Sequence, residues 1–240
     1  MDKGSKALVA DGRLTVPLFH GTSTLFYESI VETGLGGRDI VKDLDLRAIV
    51  RSLLKICETE LDPDPNWLLD KSAVLKIAEE PSGQPFLDGD LGYFNFRYGG
   101  TYVSASRQTA VTYARLYNCG SEALSYTLRL LDRLSQQRPA LAAREEFTGI
   151  NLLAQKQRAP LLIEARDVEV SSLRAEQGGS CEAVLKHIES VLNEPDIYYD
   201  LIVQQANFEL LRAIPIANLQ FYKIKALSAD KLGEFELESL

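Results

Sequence analysis

Three short stretches, far apart in the chain, hold the residues whose types could do chemistry. His20-Gly21-Thr22 ends an apolar, β-prone run. Gly99-Gly100-Thr101-Tyr102-Val103-Ser104 precedes a helical pattern that carries Tyr113. Asn207-Phe208-Glu209 opens a late β-prone run. Together they offer an imidazole that can donate or accept, aromatic rings that can stack and a carboxylate that can bear negative charge. Other chemistries lack their residues. His20 and His187 are the only histidines, so a His-rich metal site is excluded, and a Cys-His nucleophile pair would have to use one of these two. No GxxxxGK[ST], HExxH or GxSxG occurs, and no GxGxxG follows a strand.

Elements must bring these stretches together. Leu14 to His20 is a strand, interrupted or started at Pro17, which cannot donate to a ladder. It runs into a helix with Phe26, Ile30 and Val31 on its apolar face. Thr22, Ser23 or Thr24 is its N-cap and Gly34 its stop. Leu46, Ile49, Val50, Leu53, Leu54 and Cys57 predict a helix over 43–60, closed by the prolines of DPDPN. A third helix is read over Trp67–Glu80, a loop over Pro81–Gly92, and a strand or hairpin from Tyr93 to Ser104. Arg107 to Leu134 reads as helix, broken near Asn118-Cys119-Gly120. Strands are predicted at Pro160–Glu164, Leu201–Gln205, Phe208–Ala213 and Leu219–Leu227, with a helix over Cys181–Asn193. Residues 1–13 read as a polar arm. No internal repeat, low-complexity tract or domain-separating linker is found, so residues 1–240 read as one domain with a helical insertion at about 39–80.

Composition sets the frame. The 240 residues are 45% hydrophobic, enough for a sizeable core, and carry 34 acids against 26 bases. No apolar run approaches the roughly 20 residues of a membrane span, and the start of the chain reads as lacking a secretory signal. Cys57, Cys119 and Cys181, odd in number and without CxxC, read as reduced thiols of a cytoplasmic protein. Residues 97–158 hold nine Lys/Arg against four acids in a chain of net charge −8. That sector suits a pyrophosphate or a nucleic-acid acceptor, or is a set of solvated helix faces.

The three stretches resemble the ADP-ribosyltransferase superfamily, in its diphtheria-toxin-like, poly(ADP-ribose)-polymerase-like branch. That branch is marked by a His, a Tyr and a third residue, often Glu, on three strands. His20 in FHGTS matches the first and Tyr102 in GGTYVSAS the second. Tyr113 in TAVTYA, eleven residues on, matches a second tyrosine on the following helix, and Glu209 in NFEL matches the third element. The likeness spans His20 to about Lys225 without covering 39–90 or 130–195. It implies an α+β fold with a split, mixed two-sheet core and helical insertions.

The resemblance further implies that the chain transfers ADP-ribose from NAD+, as substrate and without a metal, to a protein, RNA or DNA acceptor. Small members of the branch include toxins and defence factors, for which a neutralising antitoxin is a partner. A membrane partner is not implied. Glu209, His20 and Tyr102 are then the catalytic set. The nicotinamide–ribose bond breaks with oxocarbenium character, and neutral nicotinamide leaves without a general acid, so one carboxylate, Glu209, suffices. Tyr102 and Tyr113 stack on the nicotinamide ring, His20 bonds a ribose hydroxyl, Gly21 grips the carboxamide, and Thr22 or Ser23 adds a hydroxyl.

Two departures stand out. Ala110 replaces a serine three residues before Tyr113, leaving Ser104 or Thr109 to bond the carboxamide, and Ser23 stands where an arginine often does. They keep two alternatives open: NAD+ hydrolysis, and a non-catalytic NAD+- or ADP-ribose-binding relative. RNA 2′-phosphotransfer ranks low, for want of basic residues at Tyr102 and Glu209. Each residue alone also has a plainer reading. His20 could be a cap or core histidine, Tyr102 a half-buried strand aromatic, Tyr113 ordinary helix packing and Glu209 a solvated carboxylate. Glu194, Asp196 and Asp200 are competing acids placed just before a strand.

Overall fold

Pro17 is a boundary: β2 (Arg13–Leu14) stops before it and β3 (Leu18–Ser23) begins just after it. β2 pairs with β1 (Val9–Ala10) across Asp11-Gly12, whose φ values of 49° and 74° suit a tight hairpin turn. The predicted polar arm therefore contains a hairpin. The computed structural model describes residues 7–62, 100–176, 180–192, 196–227 and 234–240. The helix read over Trp67–Glu80, the loop over Pro81–Gly92 and the segment Tyr93–Gly99 lie outside them.

After β3 a short 3-10 turn, Thr24–Phe26, leads into α1 (Tyr27–Thr33), which ends at Gly34 with φ 82°. α2 (Ile40–Asp43) and α3 (Leu46–Glu60) follow, α3 burying Leu46, Val50, Leu53, Leu54 and Cys57 on one stripe. β4 (Tyr102–Ser104) leads to α4 (Arg107–Leu116), α5 (Glu122–Gln137), α6 (Pro139–Ala142) and α7 (Thr148–Gln155). β5 (Pro160–Ala165), β6 (Leu173–Ala175), α8 (Cys181–Ser190), α9 (Asp196–Ile202), β7 (Asn207–Leu210), β8 (Leu219–Ala226) and β9 (Phe235–Ser239) complete the order.

The fold is α+β. Among the described residues, seven strands form one sheet in the order β6-β7-β4-β3-β5-β8-β9, and every neighbouring pair is antiparallel. The expectation of mixed pairing in two sheets is corrected here. The sheet is nevertheless nearly divided, because β3 and β4 meet at a single rung, Phe19 opposite Ser104. On one face Leu18, Val103, Leu161, Ile163, Phe208 and Phe221 pack with Ile30 of α1 and Ile188 of α8. On the other, Phe19, Leu162 and Ile224 pack with Ala110, Val111 and Ala114 of α4. β5 is buried on both faces, as a central strand should be. The inserted α3 builds a further core with α5 and α7 through Leu53, Leu124, Leu131 and Ile150.

Two further expectations fail. Leu201–Gln205 is not a strand: it is the end of α9 and a 3-10 turn, with Leu201 57% and Ile202 41% exposed beside buried Val203. A short apolar run carries no period that separates strand from helix. Val31 faces outward at 41% exposure instead of joining Ile30. Among the described residues, no helix is long and apolar enough to cross a membrane.

Candidate active site

In an antiparallel pair, alternate residues exchange backbone bonds with the partner strand and the residues between them turn the other way. The Thr24 N–H donates to the Ala159 carbonyl at 2.9 Å, which fixes that parity for β3. Leu18, His20 and Thr22 bond to β5; Phe19, Gly21 and Ser23 turn their N–H and C=O towards β4. Pro160, which has no N–H, stands opposite Ser23, where none is needed. On β4, the Leu210 N–H donates to Thr101 (2.8 Å) and the Ala105 N–H to Ala206 (2.9 Å). Tyr102 and Ser104 therefore turn towards β3.

The next rung beyond Phe19–Ser104 would pair Gly21 with Tyr102. It is absent. The Tyr102 carbonyl instead accepts from His20 Nδ1 at 2.7 Å. The ring stands where the ladder would continue and directs Gly21's N–H and C=O into the gap, a donor and an acceptor side by side. A carbonyl only accepts, so Nδ1 carries the proton. Burial holds the imidazole below its ordinary pKa, opposed by the Tyr102 bond, so Nε2 is an unprotonated acceptor near neutral pH.

Gly21 has a packing reason as well. A Cβ there would sit 1.9 Å from the Ala110 carbonyl of α4, which lies directly on β3. Gly21→Ala should cost about 3 kcal/mol by overpacking. Urea unfolding measures this, and a cost below about 1 kcal/mol would mean that α4 is not seated on this strand.

The gap opens into a cleft of about 570 Å³, within the range of small-ligand sites. His20, Gly21, Thr22, Tyr102, Ser104 and Tyr113 all line it. The Tyr113 hydroxyl accepts the Glu122 N–H at 3.1 Å, and its ring meets Tyr117 at 4.8 Å and 56°. Burial raises its pKa to about 12, so the phenol stays neutral. The Thr22 hydroxyl donates to the Gly120 carbonyl at 3.1 Å, Ser104 Oγ accepts from the Ser106 N–H at 3.1 Å, and Thr109 donates to the Gln204 carbonyl at 3.3 Å. Ser23 is not among the lining residues; it is buried, and its Oγ accepts the Leu25 N–H at the start of the 3-10 turn. Ser23 thus caps the 3-10 turn and not α1, whose N-cap position is Phe26 without a side-chain cap bond, so none of the three predicted caps serves that helix directly.

The acids fall on two rungs of one face. Arg174, Glu209 and Tyr102 stand opposite one another across β6, β7 and β4. Beside them stand Asn207 and Ser104, joined by Glu176, whose N–H donates to the Asn207 carbonyl at 3.1 Å. Glu209 thus lies directly opposite Tyr102, but its Oε2 is gripped by Arg174 (Nε at 2.9 Å) and it does not line the cleft. Gly100 lies over it: a Cβ there would be 2.9 Å from Oε1. Among the described residues, the acids on the cleft wall are Glu176, Glu122 and Asp39. Burial pushes the Glu176 carboxyl up, a bond with Asn207 opposes this, and the Glu209 charge adds to it.

Sequence reasoning missed Glu176. It follows a three-residue strand whose buried–exposed–buried alternation is the only local sign of an element there. Of the competing acids, Asp200 accepts the Gln108 N–H at 3.1 Å near the start of α4, and both it and Asp196 lie on α9; Glu194 lies outside the described residues. Arg38, paired with Asp43 at 2.8 Å, is the cation on the cleft wall among the described residues. Much of the basic sector is engaged locally: Arg107 lies over Phe19, Arg129 over Tyr126, and Arg144 near Glu146. No group of three or more His, Cys, Asp or Glu able to hold a metal ion occurs among the described residues. Compared with models of protein families, with curated proteins and with solved structures, the chain matches none.

Proposed function

We propose that the chain is an NAD+-dependent ADP-ribosyltransferase of the His-Tyr-Glu branch, acting on a protein or nucleic-acid acceptor. One observation carries the reading. His20 occupies the Tyr102 carbonyl and turns Gly21's N–H and C=O into the cleft. Such a pair fits a primary carboxamide, whose oxygen accepts and whose N–H donates. Nicotinamide is a carboxamide on an aromatic ring, and Tyr102 and Tyr113 line the same cleft to stack on it. His20 Nε2 then accepts from a ribose hydroxyl. Glu209, paired with Arg174 and one strand from Tyr102, supplies the negative charge that steadies the sugar cation. A toxin or defence role, with an antitoxin partner, follows from the resemblance.

The amide reading predicts that nicotinamide binds at least about tenfold more tightly than nicotinate, because the acid lacks the N–H donor and sets a charge beside Gly21's carbonyl. Calorimetry with the two compounds tests it, and equal affinities would remove its basis.

A binding-only relative is the second reading. It is supported by Arg174's hold on Glu209 and by Glu209's place behind the cleft wall. NAD+ binding without any nicotinamide release would favour it. Free ADP-ribose produced without an acceptor would favour hydrolysis.

A further inference from the structure

We propose that Glu176 is the general base of this site, taking the proton of the nucleophile that attacks the ribose. This rests on the ADP-ribosyl-transfer reading and adds to it a second working carboxyl. The two acids are diagonal neighbours on one face of β6 and β7, about 7 to 8 Å apart for such positions. Their surroundings differ. Arg174 grips Glu209, which suits a carboxylate that must remain charged. Glu176 is held through Asn207, feels the Glu209 charge, and forms part of the cleft wall that Glu209 does not reach.

Such a pair divides the labour. One acid keeps its charge throughout, while the other is set to exchange a proton. Burial and the Glu209 charge hold Glu176 above the ordinary carboxylate range, which favours proton uptake by a base working near neutral pH. Among the described residues, the other titratable and charged groups on the adjoining rung and the cleft wall are Arg174 and Glu209 on β6 and β7, Tyr113 and Tyr117 at α4, Glu122 at the start of α5, Arg38 and Asp39 before α2, and His20 on β3. Tyr113 is itself raised in part by the Glu176 charge.

The step balances. The C1′–N bond of NAD+ breaks and its electron pair leaves with neutral nicotinamide. The acceptor X–H forms the X–C1′ bond, and its proton passes to the Glu176 carboxylate and then to solvent. The nucleophile gains most from a base when it is neutral and carries a proton, as water, a hydroxyl or an amide does. An anionic nucleophile without a proton needs no base.

The test uses the full chain with NAD+, water as the first acceptor and azide as the second. Nicotinamide release is followed chromatographically from about pH 5 to about pH 9, and NAD+ binding by calorimetry. Glu176→Gln and Glu176→Ala should each slow release into water by about 100-fold and leave the NAD+ dissociation constant within about threefold. The acidic limb of the wild-type rate profile should disappear in both. High azide should restore release in both variants, giving ADP-ribosyl azide, but should not restore it in Glu209→Gln.

Wild-type rates in the two variants would overturn the assignment of the base. So would slow release with normal NAD+ binding that azide fails to rescue, because a purely structural role would give that pattern. If the alanine variant does not fold, the isosteric glutamine variant decides alone. Absence of NAD+ binding by the wild-type chain would overturn the transfer reading itself, and with it the role of Glu176.

Discussion

Glu209→Gln should lower nicotinamide release from NAD+ by about 1000-fold while NAD+ still binds within about threefold of the wild-type affinity. Glutamine keeps the shape and the hydrogen-bonding oxygen but not the charge. What is lost is the stabilisation of positive charge as the glycosidic bond breaks, which the ground-state complex hardly feels. The fold should tolerate the change. Arg174 is about half exposed, so its guanidinium stays hydrated when its partner is neutralised, and glutamine keeps an oxygen to accept from it. Chromatography of nicotinamide and calorimetry of NAD+ give both numbers from one preparation. Unchanged turnover would show that the carboxylate behind Gly100 is not the one that matters. A tenfold or greater loss of NAD+ affinity would show that it holds the ground state instead.

Readability from sequence followed the range of the interaction. α3 was legible because its stripe of Leu46, Val50, Leu53, Leu54 and Cys57 is local, and so was the junction from β3 into α1, where apolar run, glycine and cap are consecutive. Local signals could still be passed over: Asp11-Gly12 is a hairpin turn inside what read as a polar arm. α9 was misread because Leu201-Ile202-Val203 is too short to show a period. The split between β3 and β4 was out of reach altogether. It depends on which strands become neighbours and on a hydrogen bond between residues 82 apart in the chain. For the site, His20, Gly21, Thr22, Tyr102, Ser104 and Tyr113 reach one cleft from positions that the resemblance had marked. Glu176 had no such marker, since only the pairing of β6 with β7 carries it there.

A gap between two strands is costly unless its backbone groups have other partners. Here His20 supplies one, and this joins the stability of the sheet to the binding of a ligand. The larger packing requirement points the same way: α4 lies so close to β3 that only glycine fits at position 21, and that glycine is the residue whose N–H and C=O face the opening. The same two residues therefore shape the split and present its polar lining.

His20→Leu and His20→Asn should separate the ring's two jobs. Leucine leaves the Tyr102 carbonyl without its donor and facing the Gly21 N–H, the partner an unbroken ladder would give it. The gap then closes, and NAD+ affinity should fall by about 100-fold, the loss of two hydrogen-bonding groups at roughly 1 to 1.5 kcal/mol each. Asparagine can still donate to Tyr102 but gives up the acceptor aimed at the ribose, so its loss should be only about tenfold. The pH response follows from the depressed pKa. The unfolded ring takes a proton near its ordinary value of 6.5, while the folded ring resists it until a lower pH. The ring's share of stability is therefore complete above about pH 7, and it is lost progressively from about 6.5 down to the folded pKa. Urea midpoints at about pH 5 and about pH 7.5 should show a larger acid loss in the wild type than in His20→Asn, which has no titrating group at that position. Glu176 and the other carboxyls are common to both proteins and cancel in the difference. Parallel curves would mean that the imidazole does not hold the split open as a buried, neutral donor, and the amide-binding site built on that geometry would fall with it.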